Sequence, residues 1–252
     1  MTTMIAVDVT TIPALGHGEA MALQATELDR AVAVLRTLDD DQWRARTVCP
    51  DWDVRQMWLH VLGACEAGAS MRKNVHQMRV ARKRRKDSGV SLEAGLSGVQ
   101  VAEREHLSPE DLVERLELIA PKTVKGRSRT PRPIRAMKIG IDAPVVERWS
   151  LGYLIDIIYL RDAWMHRVDT ARATGVELVL TADHDGRIVA DVVAEWARRH
   201  GQPFTLELTG IAGGVFTADG GGEPVVVDAV EFCSVLAGRG AATGLLATIV
   251  PF

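Results

Sequence analysis

Cysteine is scarce in this 252-residue chain: Cys49, Cys65 and Cys233 are scattered and form no C-x-x-C pair. Such an odd, scattered set supports neither an even disulfide framework nor a four-cysteine structural zinc site, and it suits a reducing cytoplasm. Long apolar runs are missing too. Nothing approaches the roughly 18 residues of a membrane span. Residues 1–20 lack a basic segment followed by an apolar core, so they do not read as a secretory signal. Neither charge sign dominates: 30 basic residues face 33 acidic ones, giving a net charge of −3. With a sequence pI of about 6.2, the chain as a whole does not read as a nucleic-acid binder. No G-x-S-x-G elbow supports an α/β-hydrolase serine. The one glycine cluster, Asp219-Gly-Gly-Gly222, lies between two strand-like runs. A phosphate loop needs a helix N-terminus behind its glycines, so the cluster reads as a hairpin turn.

What is present is mainly helical periodicity. Residues 1–19 read as a loose lead-in. From Ala20 to Leu38, Leu23, Leu28, Val32 and Leu35 recur at near-helical spacing, and Asp39-Asp40-Asp41 ends the helix. A second helix follows Pro50, with Asp53 as N-cap and Gln56 three residues on as in a capping box. It runs past Met71 and aligns Met57, His60 and Ala64 on one stripe. Ser108, Pro109, Glu110 and Asp111 open a third helix, buried through Leu112, Leu116 and Ile119. A fourth extends from about Val145 to Ala173 and stops before Gly175. Residues 87–107 read as a mobile connection and 121–144 as a long loop. Beyond Gly175 the texture changes to one helix, Thr181 to His200, three strands near 204–208, 213–217 and 224–228, and a short helix capped by Asp228. The expectation is α+β in two domains: a four-helix bundle over 20–174 and a small α+β domain over 175–252.

The chemistry concentrates in Tyr159-Leu-Arg-Asp-Ala-Trp-Met-His-Arg-Val-Asp169. Asp162 and His166 are four residues apart, so both leave one face of a buried helix. A carboxylate and an imidazole in such a setting need a partner. An Asp–His hydrogen bond satisfies them, and so does a metal ion. His60 can be an ordinary core histidine or a third ligand from a facing helix. Two histidines and a carboxylate with a position left open form a catalytic rather than a structural metal pattern. Arg127, Arg129, Arg132 and Arg135, punctuated by Pro131 and Pro133, either clamp an acidic substrate or are surface charge. The basic run Arg79 to Lys86 is a contact for an anionic partner or a solvated helix face.

Thr47-x-Cys-Pro-x-Trp-x-Val with His60 eight residues after the Trp, then Arg161-Asp-x-x-x-His166-x-x-Asp169, resembles the mycothiol-dependent maleylpyruvate isomerase family. That family belongs to the DinB-like metal-binding four-helix bundles. The stretch from Glu223 through Phe232 to Arg239 resembles its smaller, sterol-carrier-like C-terminal domain. The resemblance implies a divalent metal, with zinc the expected ion, held by His60, Asp162 and His166. It also implies a mycothiol-type thiol as cosubstrate, bound through sulfur to the metal. Two positions depart from the family pattern: its carboxylate ligand is commonly Glu where this chain has Asp162, and the residue before Trp52 is often Gly where this chain has Asp51. Recognition of a dicarboxylate substrate would fall to Arg132, Arg135 and Arg239. The expected activity is conjugation of the thiol to a small electrophile or isomerisation of an unsaturated acid, in the cytoplasm and without nucleic acid. The alternative is a non-catalytic binding module acting through the basic run and the second domain. It requires His60 and Asp162 to lie too far apart to share an ion.

Overall fold

The computed structural model describes residues 6–142, 146–219 and 224–252. The chain divides into two compact units: Gly16–Glu177, and Leu178–Phe252 together with the stretch ending at Leu15. The expected lead-in therefore contains structure. Strand β1 (Val7–Asp8) joins the second unit's sheet, and a 3-10 turn, Val9–Thr11, follows it.

In the first unit, α1 (His17–Leu35), α2 (Asp40–Trp43), α3 (Val54–Ala69), α4 (Met71–Ser88), α5 (Leu92–Ala102), α6 (Pro109–Ser128) and α7 (Arg132–Arg135) come in order. A hairpin, β2 (Lys138–Ile141) with β3 (Glu147–Ser150), leads into α8 (Leu151–Tyr153). A wide π-type turn, Leu154–Ile158, joins α8 to α9 (Tyr159–Thr174). The bundle is a closed ring in which α6 packs on α1 and α3, and α9 packs on the same two helices from the other side. Its interior holds Leu28, Leu35, Met57, Trp58, Leu62, Leu112 and Leu116, each at most 2% exposed. A buried ion pair ties α1 to α9, with Arg167 Nε 2.7 Å from Glu27 Oε1.

Local signals set most helix starts. The Asp53 carboxylate accepts from the Gln56 N–H, and the Gln56 side chain accepts from the Asp53 N–H, completing the expected capping box. Ser108 caps α6 with Pro109 in its first turn. Gly175 ends α9 at φ 72°, a left-handed conformation that glycine adopts at little cost.

Several sequence expectations need correction. The second helix does not run on past Met71: it stops at Ala69, and the extended Ser70 caps a separate helix, α4. Residues 87–107 are not a loose connection, since α5 lies there, capped by Ser91. The third helix runs through Pro121 to Ser128, because Ala120, Thr123 and Arg127 on its buried face lock it against the bundle. That burial outweighs the roughly 3 kcal/mol a mid-helix proline costs. The remainder of the supposed loop is α7 and the β2–β3 hairpin, whose residues 143–145 lie outside the described set. The fourth helix accordingly starts at Leu151, where Ser150 Oγ accepts from the Tyr153 N–H.

In the second unit, the π-type turn Ala182–Gly186 precedes α10 (Arg187–His200), and β4 (Phe204–Thr209), β5 (Gly214–Ala218), β6 (Val225–Asp228) and α11 (Ala229–Leu236) follow. The strand order is β1-β5-β4-β6, with β4 antiparallel to β5 and parallel to β6. β5 and β6 are thus separated by β4, and no hairpin joins them. The expected glycine turn, 220–222, lies outside the described residues. The hairpin is β4–β5 instead. Trp196 forms the core with Phe204 and Phe232, at ring distances of 4.7 and 5.3 Å.

Candidate metal centre

Two facing helices and one loop build the site. α3 presents His60 in its second turn, aimed by the Asp53 cap, and α9 presents Asp162 and His166 from one face. Asp162 lies between the two imidazoles, with Oδ1 3.3 Å from His166 Nε2 and Oδ2 3.7 Å from His60 Nε2. The His60 separation is too long for a hydrogen bond. All three residues offer a ligand atom within 4.8 Å of the others. A tetrahedron of about 2.0 Å bonds has edges of roughly 3.3 Å. The Asp162–His166 separation equals that edge and the Asp162–His60 separation exceeds it by a few tenths of an ångström, so the group could hold a small divalent ion. The 3.7 Å distance also runs against the binding-module reading, which requires the two side chains to be too far apart.

Each ligand is braced. Trp52 stacks on His60 with ring centroids 5.2 Å apart, and His60 meets His166 edge-on at 5.8 Å. His166 Nδ1 faces Asp169 Oδ2 at 3.4 Å, and Asp169 is fully buried. A carboxylate behind a ligating imidazole fixes the ring and its tautomer. One turn on, Thr170 Oγ1 donates to the His166 carbonyl at 2.7 Å and accepts from Trp58 Nε1 at 2.8 Å.

The Thr47–Trp52 loop supplies the remaining wall. Cys49 N–H donates to Thr47 Oγ1 at 3.1 Å, and Thr47 Oγ1 donates to the Trp52 carbonyl at 2.9 Å. The fold of the loop carries Trp52 to His60 and brings Cys49 beside His166 and Asp169, again with ligand atoms within 4.8 Å. Asp51 is exposed and does not have a positive φ, so the Asp in place of glycine imposes no left-handed strain.

Electrostatics concentrate on α9. Burial pushes the Asp162 carboxyl up, but His166 and then His60 outweigh it and hold it well below the usual carboxylate range. Burial pushes the His166 imidazolium down, yet Asp162 and Asp169 prevail and raise it from 6.5 to about 10. Without an ion, His166 is therefore a cation clamped between two carboxylates.

Of the expected arginines, Arg132 is exposed on α7, and Arg135 Nη1 is engaged by Asp156 Oδ2 at 3.1 Å. Neither forms a hydrogen bond or ion pair with His60, Asp162 or His166 among the described residues. Arg239 lies in the other unit. The arginine that does approach the site is Arg127, which sits on α6 rather than in a loop. It is 5% exposed, donates from Nη1 to Gln24 Oε1 at 2.8 Å, and lies 4.0 Å above the Tyr159 ring. Arg127, Tyr159, Gln24, Cys65 and Asp162 share the wall of a small pocket with room for about one water (≈ 10 Å³). Burial pushes both the Tyr159 phenol and the Cys65 thiol up, so each stays protonated near neutrality. Cys49 lies inside the Thr47-x-Cys-Pro-x-Trp pattern and Asp169 at the helical i,i+3 offset from His166, whereas Arg127 reads from sequence as one of four loop arginines and nothing in its spacing puts it on a helix beside Asp162.

A model of the mycothiol maleylpyruvate isomerase N-terminal domain family matches residues 24–171. The chain belongs to this family. That span contains all three candidate ligands together with Trp52, Arg127 and Asp169, and membership places the protein among enzymes of this kind. Two solved structures are similar: a mycothiol-dependent maleylpyruvate isomerase and a histidine-to-alanine variant of that enzyme. Each is 18% identical with a TM-score of 0.56, and the match covers 93% of this chain and 92% of the other. At that identity the likeness speaks for the fold. A comparison with curated protein sequences finds no significant match.

Proposed function

We propose that this protein is a metal-dependent enzyme that takes a mycothiol-type thiol as cosubstrate. In this reading it conjugates the thiol to a small electrophile or isomerises an unsaturated acid. The observation that supports the reading is the clustering of His60, Asp162 and His166 from two helices, each with a ligand-type atom within 4.8 Å of the others. Zinc is the ion we favour, because two imidazoles and a carboxylate with an open position match its catalytic sites. A divalent ion there would hold a coordinated thiol deprotonated at neutral pH.

The chain's own groups have separate tasks. Asp169 orients His166. Trp52 covers His60 and excludes water from that side. Arg127, fixed by Gln24 and Tyr159, supplies a positive field beside Asp162 that favours an anionic reactant. Arg132, Arg135 and Arg239 remain candidates for binding substrate carboxylates. Transfer of the thiol is the broader class and the one we favour over isomerisation, since a shortened ligand at 162 weakens the carry-over of one particular substrate. The three free cysteines suit a reducing cytoplasm as the place of action.

The test is elemental analysis of the purified protein, paired with a thiol-conjugation screen with and without chelator. Stoichiometric metal in the wild type, lost in His166→Ala, together with chelator-sensitive conjugation, is the expected result. A wild type without metal, or unchanged metal in His166→Ala, sinks the proposal.

A further inference from the structure

Helix α4 carries the basic run that the metal centre leaves unused. Met71–Ser88 holds eight cations and a single acid, Asp87, a net +7 in 18 residues of a chain whose total is −3, so the other 234 residues carry −10. The charge is not spread evenly around the helix. One side faces the bundle: Gln77 Nε2 donates to the Gly63 carbonyl at 3.0 Å and Gln77 Oε1 accepts from Gln100 Nε2 at 3.1 Å. Ala81 lies so close to α5 that a Cβ on Gly95 would meet its carbonyl oxygen at 3.0 Å. On the opposite side Arg72, Arg79, Arg82, Lys83 and Lys86 are all exposed. At about 100° per residue these five fall within an arc of roughly 100°.

The other cations are partly committed, Lys73 to Glu66 at 2.8 Å and Arg85 to Asp142 at 2.9 Å. None of the five outward cations has an ion-pair partner among the described residues. Arg79, Arg82, Lys83 and Lys86 stand at i, i+3, i+4 and i+7, where like charges destabilise a helix. Folding does not ask for this arrangement. Met71 and Val75, 75% and 39% exposed, lie at the start of the same face.

We propose that the outward face of α4 docks on an anionic lipid surface. The helix packs along α3 and α5 and offers its cations as one strip, about 21 Å long from Arg72 to Lys86 at 1.5 Å per residue. A strip of cations with exposed apolar side chains at one end suits a plane of headgroups, into which Met71 and Val75 can insert. The features that read nucleic acid are missing from it. No Phe, Tyr or Trp lies between Met71 and Ser88 to stack a base, the one imidazole there, His76, is engaged by Glu103 at 2.6 Å, and the outward strip holds no Asn or Gln to read base edges. No helix among the described residues is long and apolar enough to cross a membrane, so the contact is peripheral. The proposal stands apart from the metal centre and holds whatever reaction that centre performs.

The experiment is cosedimentation of the full chain with vesicles of phosphatidylglycerol and phosphatidylcholine in equal parts, against pure phosphatidylcholine vesicles. The comparison variant is Arg79→Gln/Arg82→Gln/Lys83→Gln/Lys86→Gln, whose changes all face solvent. Circular dichroism and metal content check that its fold is kept. The wild type is expected to bind the anionic vesicles only and to be released at about 0.5 M salt. The variant is expected to partition roughly six-hundredfold less, from on the order of fivefold for each of the four cations removed. Absence of binding to anionic vesicles, or equal binding by the variant, overturns the proposal. So does release from the vesicles by an equal charge of duplex DNA that then binds more tightly, an outcome that would assign the strip to nucleic acid.

Discussion

His166 is the side chain through which pH should control this protein. Its Nε2 lies 3.3 Å from Asp162 and its Nδ1 3.4 Å from Asp169, and its pKa stands at about 10. An ion coordinated through Nε2 must displace the proton held there. At about pH 7 the gap of roughly three units lowers apparent metal affinity by about a thousandfold, or about 4 kcal/mol. The penalty shrinks about tenfold per pH unit until pH reaches the pKa. Zinc affinity, measured by competition with a chromophoric chelator, should therefore rise close to tenfold per unit between about pH 7 and 9, with about one proton released per ion. Asp169→Asn removes one of the two carboxylates that hold the proton, so its affinity should level off at a lower pH. Stability of the metal-free protein should move the other way. A folded pKa raised above 6.5 gives stabilisation that is complete below 6.5 and is lost as pH rises through about 10. The metal-free protein should then melt at a lower temperature near pH 10 than near pH 7. A zinc affinity that stays flat from about pH 7 to 9, with no proton released, would refute this reasoning.

Asp162→Glu lengthens the ligand by about 1.5 Å where the donor edges already measure 3.3 and 3.7 Å. Metal affinity should fall tenfold or more with the fold intact; equal affinity in a chelator competition would show that the site is not fitted to the shorter arm. Gly126→Ala would put a Cβ 2.3 Å from the Gly68 carbonyl oxygen at the α3–α6 crossing. A loss of about 1–3 kcal/mol is expected from urea unfolding, and an unchanged midpoint would mean the helices part easily. Glu66 is 8% exposed and accepts from Lys73 and Arg104 at 2.8 and 2.6 Å. Burial pushes its carboxyl up, but Lys73 and Arg104 outweigh it and depress it below 4.5. Its contribution is thus present above pH 4.5 and lost as pH falls through the lowered value. Glu66→Gln should cost about 2–3 kcal/mol near neutrality, and the difference from wild type should vanish in acid; a pH-independent difference would exclude the ion pairs as its cause.

Features fixed by neighbours in sequence could be read without a structure. The Asp53–Gln56 box, Ser108 with Pro109, and Gly175 each settle a helix end within a few residues, and the structure shows each as expected. The i,i+4 offset of Asp162 and His166 was legible for the same reason. The misread segments are those whose local signals answer a distant packing demand. Gly95 and Gly98 make residues 92–102 look like a loop. Gly95 answers the close approach of α4, where a Cβ would meet the Ala81 carbonyl oxygen at 3.0 Å, while a Cβ at Gly98 would meet only the movable guanidinium of Arg84 at 2.7 Å. Pro121 looks like a helix end, but Thr123 Oγ1 bonds the Cys65 carbonyl at 2.7 Å and helps hold the next turn on α3. Cys49 stands inside the Thr47-x-Cys-Pro-x-Trp pattern and Arg127 among the spaced arginines, but their places beside His166 and Asp162 are set through space, by a loop and by α6, which no spacing along the chain encodes.

The shortened carboxylate is where local pattern and packing meet. The resemblance leads one to expect Glu at 162, and a shorter arm reaches a shared ion only if its helix comes closer or the ion sits deeper. The structure favours a close approach. Asp162 already spans the two imidazoles, and the small side chains of Ala64 and Ala163 line the pocket beside it. Larger residues at 64 or 163 would fill that pocket and hold α3 and α9 apart. The physical inference is that Asp162, Ala64 and Ala163 form one unit. Ala163→Leu in the Asp162 background should therefore weaken metal binding, and in Asp162→Glu it should weaken it less, since the longer arm tolerates a wider gap. Metal affinities of the two singles and the double in a mutant cycle test this directly. Strict additivity would mean that the ligand length and the helix spacing are set independently.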